Sequence, residues 1–160
     1  MICSLEEAAR IVGSWRARGE RIVLCNGAFD LLHVGHLRYL RGAKALADRL
    51  VVGVNADISV RASKGEGRPV INQAERAELV NALSCVDLVI VFESVDVRPL
   101  IRVLKPDIHA KGTDYAVETV PERDEVAAYG GVTAITGDPK DHSTTQLVRQ
   151  PPAPRGGGQG

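Results

Sequence analysis

The amino-acid sequence predicts a single doubly wound α/β domain built on a five-stranded parallel sheet. Short, almost wholly apolar segments alternate with longer amphipathic segments along the chain. Strands without a polar face are typical of parallel sheets that helices cover on both sides. A length of 160 residues suits one domain with a sizeable core. We therefore expect a folded domain over 1–149, with an N-terminal helix within 1–19, and a disordered Pro/Gly-rich tail over 150–160.

The first half of the chain predicts a strand–helix–strand unit behind an N-terminal helix. Ser4 can cap that first helix, which runs to Trp15. RIVLCN at 21–26 is a short apolar run between a charge and Asn-Gly, so it predicts the first strand. Apolar residues recur near helical spacing over 34–46, and RLVVGVN at 49–55 predicts the second strand.

The second half repeats this alternation. Helices are predicted at 73–83, 97–104 and 121–130, strands at 86–92, 107–111 and 132–136, and a last helix near Ser143. In doubly wound sheets the ligand lies beyond the carboxyl ends of the strands. We expect four polar, glycine-bearing segments to meet there: NGAFDLLHVGH, NADISVRASKGEGRP, KGTDY and GDPKDHSTT.

Composition excludes several classes of protein. Lys plus Arg and Asp plus Glu are 20 each, so no global field attracts nucleic acid or anionic lipid. No apolar run reaches the ~18 residues that cross a bilayer. Cys3, Cys25 and Cys85 lack CxxC spacing, which predicts reduced thiols instead of a disulfide framework or zinc knuckle. We expect a cytoplasmic protein without nucleic-acid or membrane partners.

Two histidines stand at the start of the second predicted helix. His33 and His36 flank Val34 and Gly35 directly after the first strand segment. Free N–H groups and the positive end of the helix dipole attract anions at such a position. Gly35 leaves room for a phosphate, and the two imidazoles lie on the same helical face. A zinc site would need a third ligand, so we expect no protein-bound metal, and we interpret His109 as a structural core residue.

These residues carry a family resemblance. NGAFDLLHVGH resembles the signature of the cytidylyltransferase-like nucleotidyltransferase superfamily, whose H-x-G-H motif follows the first strand of a Rossmann-like fold. Further matching stretches follow in order: VGVNADISVRASKGEGRP, ERAELVNALSCVD, KGTDY and HSTT. The likeness covers about 21–149 and is strongest to bacterial enzymes that adenylylate D-glycero-β-D-manno-heptose 1-phosphate. It implies AMP transfer from ATP to that sugar phosphate with release of pyrophosphate, Mg²⁺ held mainly by the nucleotide phosphates, and a homodimer.

Attack by a sugar phosphate needs little from a general base, because a phosphate with a second pKa of ~6 is already mostly a dianion. The site therefore needs positioning and positive charge. The predicted catalytic residues are His33, His36 and Lys64. The predicted nucleotide-binding residues are Asn26, Gly27, Ala28, Phe29, Gly35, Lys111, Gly112, Asp114, Tyr115, Ser143, Thr144 and Thr145. The predicted acceptor-binding residues are Asp30, Asn55, Arg61 and Arg68.

Three alternatives stay open. One is a CTP-dependent enzyme for glycerol 3-phosphate or a related alcohol phosphate, and a second is an adenylyltransferase for FMN. The third is a non-enzymatic regulatory module that binds a nucleotide. Ala28 offers only its backbone where many relatives carry a hydroxyl or thiol. The arginine expected before the STT motif is also absent, which leaves Lys140 or His142 in its place.

Overall fold

The computed structural model describes residues 1–139. The predicted last helix, the tail and five residues considered above lie outside the described residues: Lys140, His142, Ser143, Thr144 and Thr145. Within the described range the doubly wound α/β fold is confirmed.

The described residues contain one parallel sheet with helices between its strands. Its strands are β1 (Ile2–Cys3), β2 (Ile22–Gly27), β3 (Arg49–Asn55), β4 (Leu88–Phe92), β5 (Ile108–Lys111) and β6 (Val132–Ile135). The helices are α1 (Leu5–Ala17), α2 (Val34–Lys44), α3 (Asp57–Lys64), α4 (Gln73–Asn81), α5 (Arg98–Leu104) and α6 (Arg123–Ala128), with a 3₁₀ turn at Val117–Thr119.

The sheet has six strands instead of the predicted five. The additional strand is β1, which pairs in parallel with β4 through Ile2–Val89 and Cys3–Ile90. Two residues are too few to show a periodic pattern, so this edge strand could not be recognised locally.

A second difference is α3, which forms where the sequence predicted only a loop. Its N-cap, Ala56, has no side chain that can accept a hydrogen bond. Instead the Asp57 backbone N–H donates to Oε1 of Gln73, at 2.9 Å. This helix start is therefore satisfied from sixteen residues away, which a local sequence pattern does not reveal.

The strand order β1-β4-β3-β2-β5-β6 places a topological switch point between β2 and β5. From β2 the chain builds outward through β3 to β4, and then crosses back to place β5 on the other side of β2. All pairs are parallel, so the carboxyl ends of β2 and β5 open at the same edge. A ligand crevice is expected at this edge.

Both faces of the sheet are buried, as the apolar strands predicted. In β2, Val23 and Cys25 pack on the face covered by α2 and α4, and Ile22 and Leu24 on the face covered by α1, α5 and α6. Cys3, Cys25 and Cys85 are free thiols. Among residues 1–139, no helix has the length and apolarity required to span a bilayer.

Candidate active site

The H-x-G-H segment forms the first turn of α2, directly beyond the carboxyl end of β2. His33 is the N-cap, and its Nδ1 accepts a hydrogen bond from the Gly35 backbone N–H at 3.1 Å. Nδ1 of His36 accepts in turn from the His33 backbone N–H at 3.3 Å. The two imidazoles stack with centroids 3.9 Å apart and ring planes 27° apart. Both rings are half-buried, and they stay outside the hydrophobic core.

This reciprocal capping corrects one detail of the prediction. The Gly35 N–H is not available to an anion, because the His33 ring already accepts it. The capping bonds instead determine which ring nitrogen carries the proton and can donate to a ligand. A neutral imidazole that accepts at Nδ1 carries its proton on Nε2. Both histidines therefore present an Nε2–H donor on the side away from the helix backbone.

His36 is neutral over the physiological range. Burial, followed by the nearby His33 and Lys64 side chains, lowers its pKa from 6.5 to about 4, while the Asp30 carboxylate acts weakly in the opposite direction. The ring is thus a neutral hydrogen-bond donor and not a stored proton. Such a donor can stabilise growing negative charge without transferring a proton.

Phe29 packs against the ring of His36. Its ring is almost fully buried and meets the His36 ring edge-on, with centroids 5.3 Å apart. Gly27 makes room for this ring, since a Cβ there would lie 3.3 Å from Phe29 Cε2. Phe29 and Leu31 both have a φ of 51°, an unfavourable backbone region for such residues. The Phe29 ring therefore packs against the histidine motif, and the predicted nucleotide contact of Phe29 would come from its backbone.

Asp30 anchors the loop that follows α3. Its buried carboxylate accepts from the backbone N–H groups of Val70 (2.9 Å) and Ile71 (3.0 Å), and from Arg68 Nη1 (3.2 Å). Burial alone would raise the pKa of Asp30, but these three donors outweigh it and hold the pKa below the ordinary value. The Asp30 side chain is thus positioned to orient the loop, and the predicted direct contact with substrate is disfavoured.

Arg76 connects three segments of this region through hydrogen bonds. The sequence pattern gave it no predicted role. Its guanidinium is completely buried. It donates to the carbonyls of Ala28 and Ile71 and to Asp57 Oδ1, the last two at 2.9 and 2.7 Å. A charged residue among the apolar positions of α4 was the available signal, since such a residue is buried only when it is paired.

Lys64 and Arg61 supply positive charge from α3. Lys64 is the last residue of the helix, which ends at Gly65 with a φ of 92°. It is exposed, and it lies close enough to His36 to lower the pKa of that ring. Arg61 is also exposed and lies one turn earlier on the same face. The structure therefore brings Lys64 toward the histidine pair.

The carboxyl end of β5 contributes Lys111. Its side chain is half-buried, and this burial lowers its pKa, although the nearby Glu122 carboxylate acts in the opposite direction. The ammonium lies 4.8 Å from the centroid of the Tyr115 ring, a cation–π contact. Gly112 closes a turn by accepting from the Tyr115 N–H at 3.2 Å, and Asp114 is exposed within that turn. The KGTDY segment thus lies beside β2 across the switch point.

Two predicted residues make structural contacts. Asn26 lies near the end of β2, and its Oδ1 is 3.0 Å from Nε2 of His109. Asn55 donates through Nδ2 to the Ser94 carbonyl at 3.3 Å, which ties the end of β3 to the segment after β4. This bond gives the Asn55 amide a structural contact, and its predicted contact with the acceptor substrate stays a prediction.

The described residues do not build a metal centre. Within residues 1–139, no group of three or more His, Cys, Asp or Glu side chains could hold an ion. The Asp30 carboxylate is engaged by its three donors. The side chains of residues 1–139 therefore do not fit a protein-bound Mg²⁺.

Comparison with known proteins shows the family of the chain. A family model described as cytidylyltransferase-like matches residues 24–150, most of the chain. The chain belongs to the cytidylyltransferase-like family. This confirms the resemblance inferred from the H-x-G-H motif and identifies the chain as a nucleotidyltransferase domain.

Curated relatives are similar across nearly the whole chain. The protein named Bifunctional protein HldE from a Caulobacter species is 46% identical over 157 residues, which are 98% of this chain and 32% of the relative. The protein of the same name from Geobacter metallireducens is 46% identical over 147 residues, 92% of this chain and 30% of the relative. The chain therefore spans about a third of the length of these relatives.

Two solved structures share the fold. The lipopolysaccharide core biosynthesis protein from Thermoplasma volcanium superposes with a TM-score of 0.66 at 28% identity, covering 76% of this chain and 99% of that one. A pantoate-beta-alanine ligase from Francisella tularensis gives a TM-score of 0.60 at 14% identity, covering 91% and 69%. The second match supports the fold alone.

Proposed function

We propose that this domain transfers AMP from ATP to D-glycero-β-D-manno-heptose 1-phosphate, giving ADP-heptose and pyrophosphate. The observation that carries the proposal is the pair of stacked, Nδ1-capped imidazoles at the start of α2, with their Nε2–H donors beyond the end of β2. The identity to HldE proteins supports the heptose acceptor, as does the likeness to a protein of lipopolysaccharide core biosynthesis.

The reaction needs placement and charge more than proton transfer. A phosphate oxygen of the acceptor attacks the α-phosphorus of ATP, a new P–O bond forms, and the bond to the β-phosphate bridge oxygen breaks. The electron pair leaves with pyrophosphate. Neutral His33 and His36 donate to the phosphoryl oxygens as their negative charge grows, which matches donors that need no protonation change. Lys64 and Lys111 add positive charge from the two sides of the switch point.

The proposal also covers the substrate contacts, the metal ion, the oligomeric state and the location. The nucleotide would contact the backbone at 26–29 and the KGTDY turn, and Arg61 and Arg68 would face the acceptor phosphate. Mg²⁺ enters as part of the substrate, MgATP. A homodimer and a cytoplasmic location belong to the same proposal through the family resemblance.

The test is a matrix of donors and acceptors. The protein is incubated with ATP or CTP and with heptose 1-phosphate, glycerol 3-phosphate, phosphoethanolamine or FMN, and pyrophosphate release is measured. The proposal predicts release with ATP and the heptose alone. Release only with CTP would overturn the ATP assignment, and nucleotide binding without release in any combination would favour the regulatory module.

A further inference from the structure

His109 is a buried imidazole that the proposed reaction does not use. It lies in β5 with no exposed surface. Its Nε2 is 3.0 Å from Asn26 Oδ1, and its Nδ1 is buried without a hydrogen-bond partner among residues 1–139. A buried polar atom without a partner calls for an explanation. In the β2–β5 register His109 is paired with Leu24, so Asn26 lies two residues further toward the site on the same face.

The hydrogen-bonding capacities of the two groups decide the direction of this contact. Burial, and then the charge of Lys111, lowers the pKa of His109 to about 3, so the ring is neutral and carries one proton. A carboxamide oxygen can only accept, which places the proton on Nε2. The reverse arrangement would leave an Nδ1–H donor buried without an acceptor, and an orphaned buried donor is the rarer case in proteins.

This bond fixes which side of Asn26 faces the crevice. With Oδ1 held toward β5, the Nδ2 group must point away from His109. Asn26 is half-buried at the penultimate position of β2. Within residues 1–139 its side chain forms a hydrogen bond to His109 through Oδ1, which leaves the Nδ2 group to donate to a ligand. We propose that His109 is a positioning residue, which holds the Asn26 carboxamide so that its N–H₂ group donates to an oxygen of the bound nucleotide. The inference rests on the proposed function only in that a nucleotide binds at this edge.

The first test is a double-mutant cycle on nucleotide affinity, with the Kd for ATP measured by titration calorimetry. His109→Leu removes the ring donor and places an apolar side chain in the core. It should weaken ATP binding by about threefold to tenfold, as expected for one hydrogen bond, with kcat changed by less than about twofold. Asn26→Ala should weaken binding at least as much, and the double variant should lose no more than Asn26→Ala alone.

Two further variants separate positioning from packing. Ile108→Val, a buried substitution on the opposite face of β5, is the matched control and should leave the Kd unchanged. His109→Gln restores an N–H donor and should recover most of the affinity. Unchanged affinity in His109→Leu, additive losses in the double variant, or an equal loss in Ile108→Val would overturn the inference.

The ring tautomer can be measured in the wild-type protein without nucleotide. ¹⁵N NMR of the His109 ring should show the proton on Nε2 and a bare Nδ1 at neutral pH. A proton on Nδ1 would overturn the inference whatever the variants do. A protein that binds neither ATP nor CTP would instead overturn the proposed function, and the inference with it.

Discussion

Replacing His36 by alanine removes one of the two neutral donors at the start of α2. The loss of a single preorganised transition-state donor typically lowers kcat by about 10² to 10³, or about 2.7–4 kcal/mol. We expect a decrease of that size, because the capped Nδ1 leaves Nε2–H as the only donor of the ring. ATP affinity should fall by less than about tenfold, since the proposed nucleotide contacts of the backbone at 26–29 and of Lys111 are unchanged.

The effect of this change on stability should be small. His36 Nδ1 accepts one partly exposed backbone N–H at 3.3 Å, and losing a cap of this kind costs about 0.5–1 kcal/mol. At about 2–4 °C per kcal/mol for a domain of this size, Tm should fall by about 1–4 °C.

The assay combines steady-state pyrophosphate release, calorimetric ATP binding and thermal unfolding. Val34→Ala is the matched control: Val34 lies in the same turn and is 40% exposed, and its change should leave kcat intact. A His36→Ala variant that retains kcat within a factor of about ten would refute the role of His36 as a transition-state donor. A lower rate accompanied by a fall in Tm well beyond about 4 °C would refute it as well.

Three other predictions concern stability and the acceptor. Burial holds the pKa of His36 at about 4 and that of His109 at about 3, below the ordinary 6.5, so the unfolded chain binds more protons in acid. The free energy of unfolding, measured in urea, should fall as the pH drops below 6.5, and less steeply in His36→Ala. Arg76→Met should lower the free energy of unfolding by about 3 kcal/mol. Arg76→Lys should recover only part of this loss, because an ammonium lacks the planar set of N–H donors of a guanidinium. Asp30→Asn removes the charge opposite Arg68 and should lower kcat/KM for the sugar phosphate about fivefold to tenfold at unchanged ATP affinity.

The alternation of apolar strands and helices was sufficient to predict the parallel sheet, because burial on both faces leaves a strong hydrophobic pattern. The pattern failed where a non-local contact decides the structure. The start of α3 depends on Gln73, and β1 depends on its pairing with β4. Neither contact has a signal within its own segment.

The histidine pair could be predicted because a short motif at a strand end already determines its surroundings. The orientation of its rings could not, since it follows from the reciprocal caps at Nδ1. The role of Arg76 and the backbone partners of Asp30 also escaped prediction. Both residues serve loops that are distant in sequence, and a carboxylate that anchors backbone amides looks the same in a sequence as one that binds substrate.

The central claim is that neutral imidazoles stabilise the phosphoryl group through their Nε2–H donors. A crystal structure with a nonhydrolysable ATP analogue tests it most directly. We expect Nε2 of His33 and Nε2 of His36 within about 2.7–3.2 Å of phosphate oxygens, with the Nδ1 caps preserved. Phosphates bound away from the two rings, or rings turned so that Nδ1 faces the nucleotide, would contradict it.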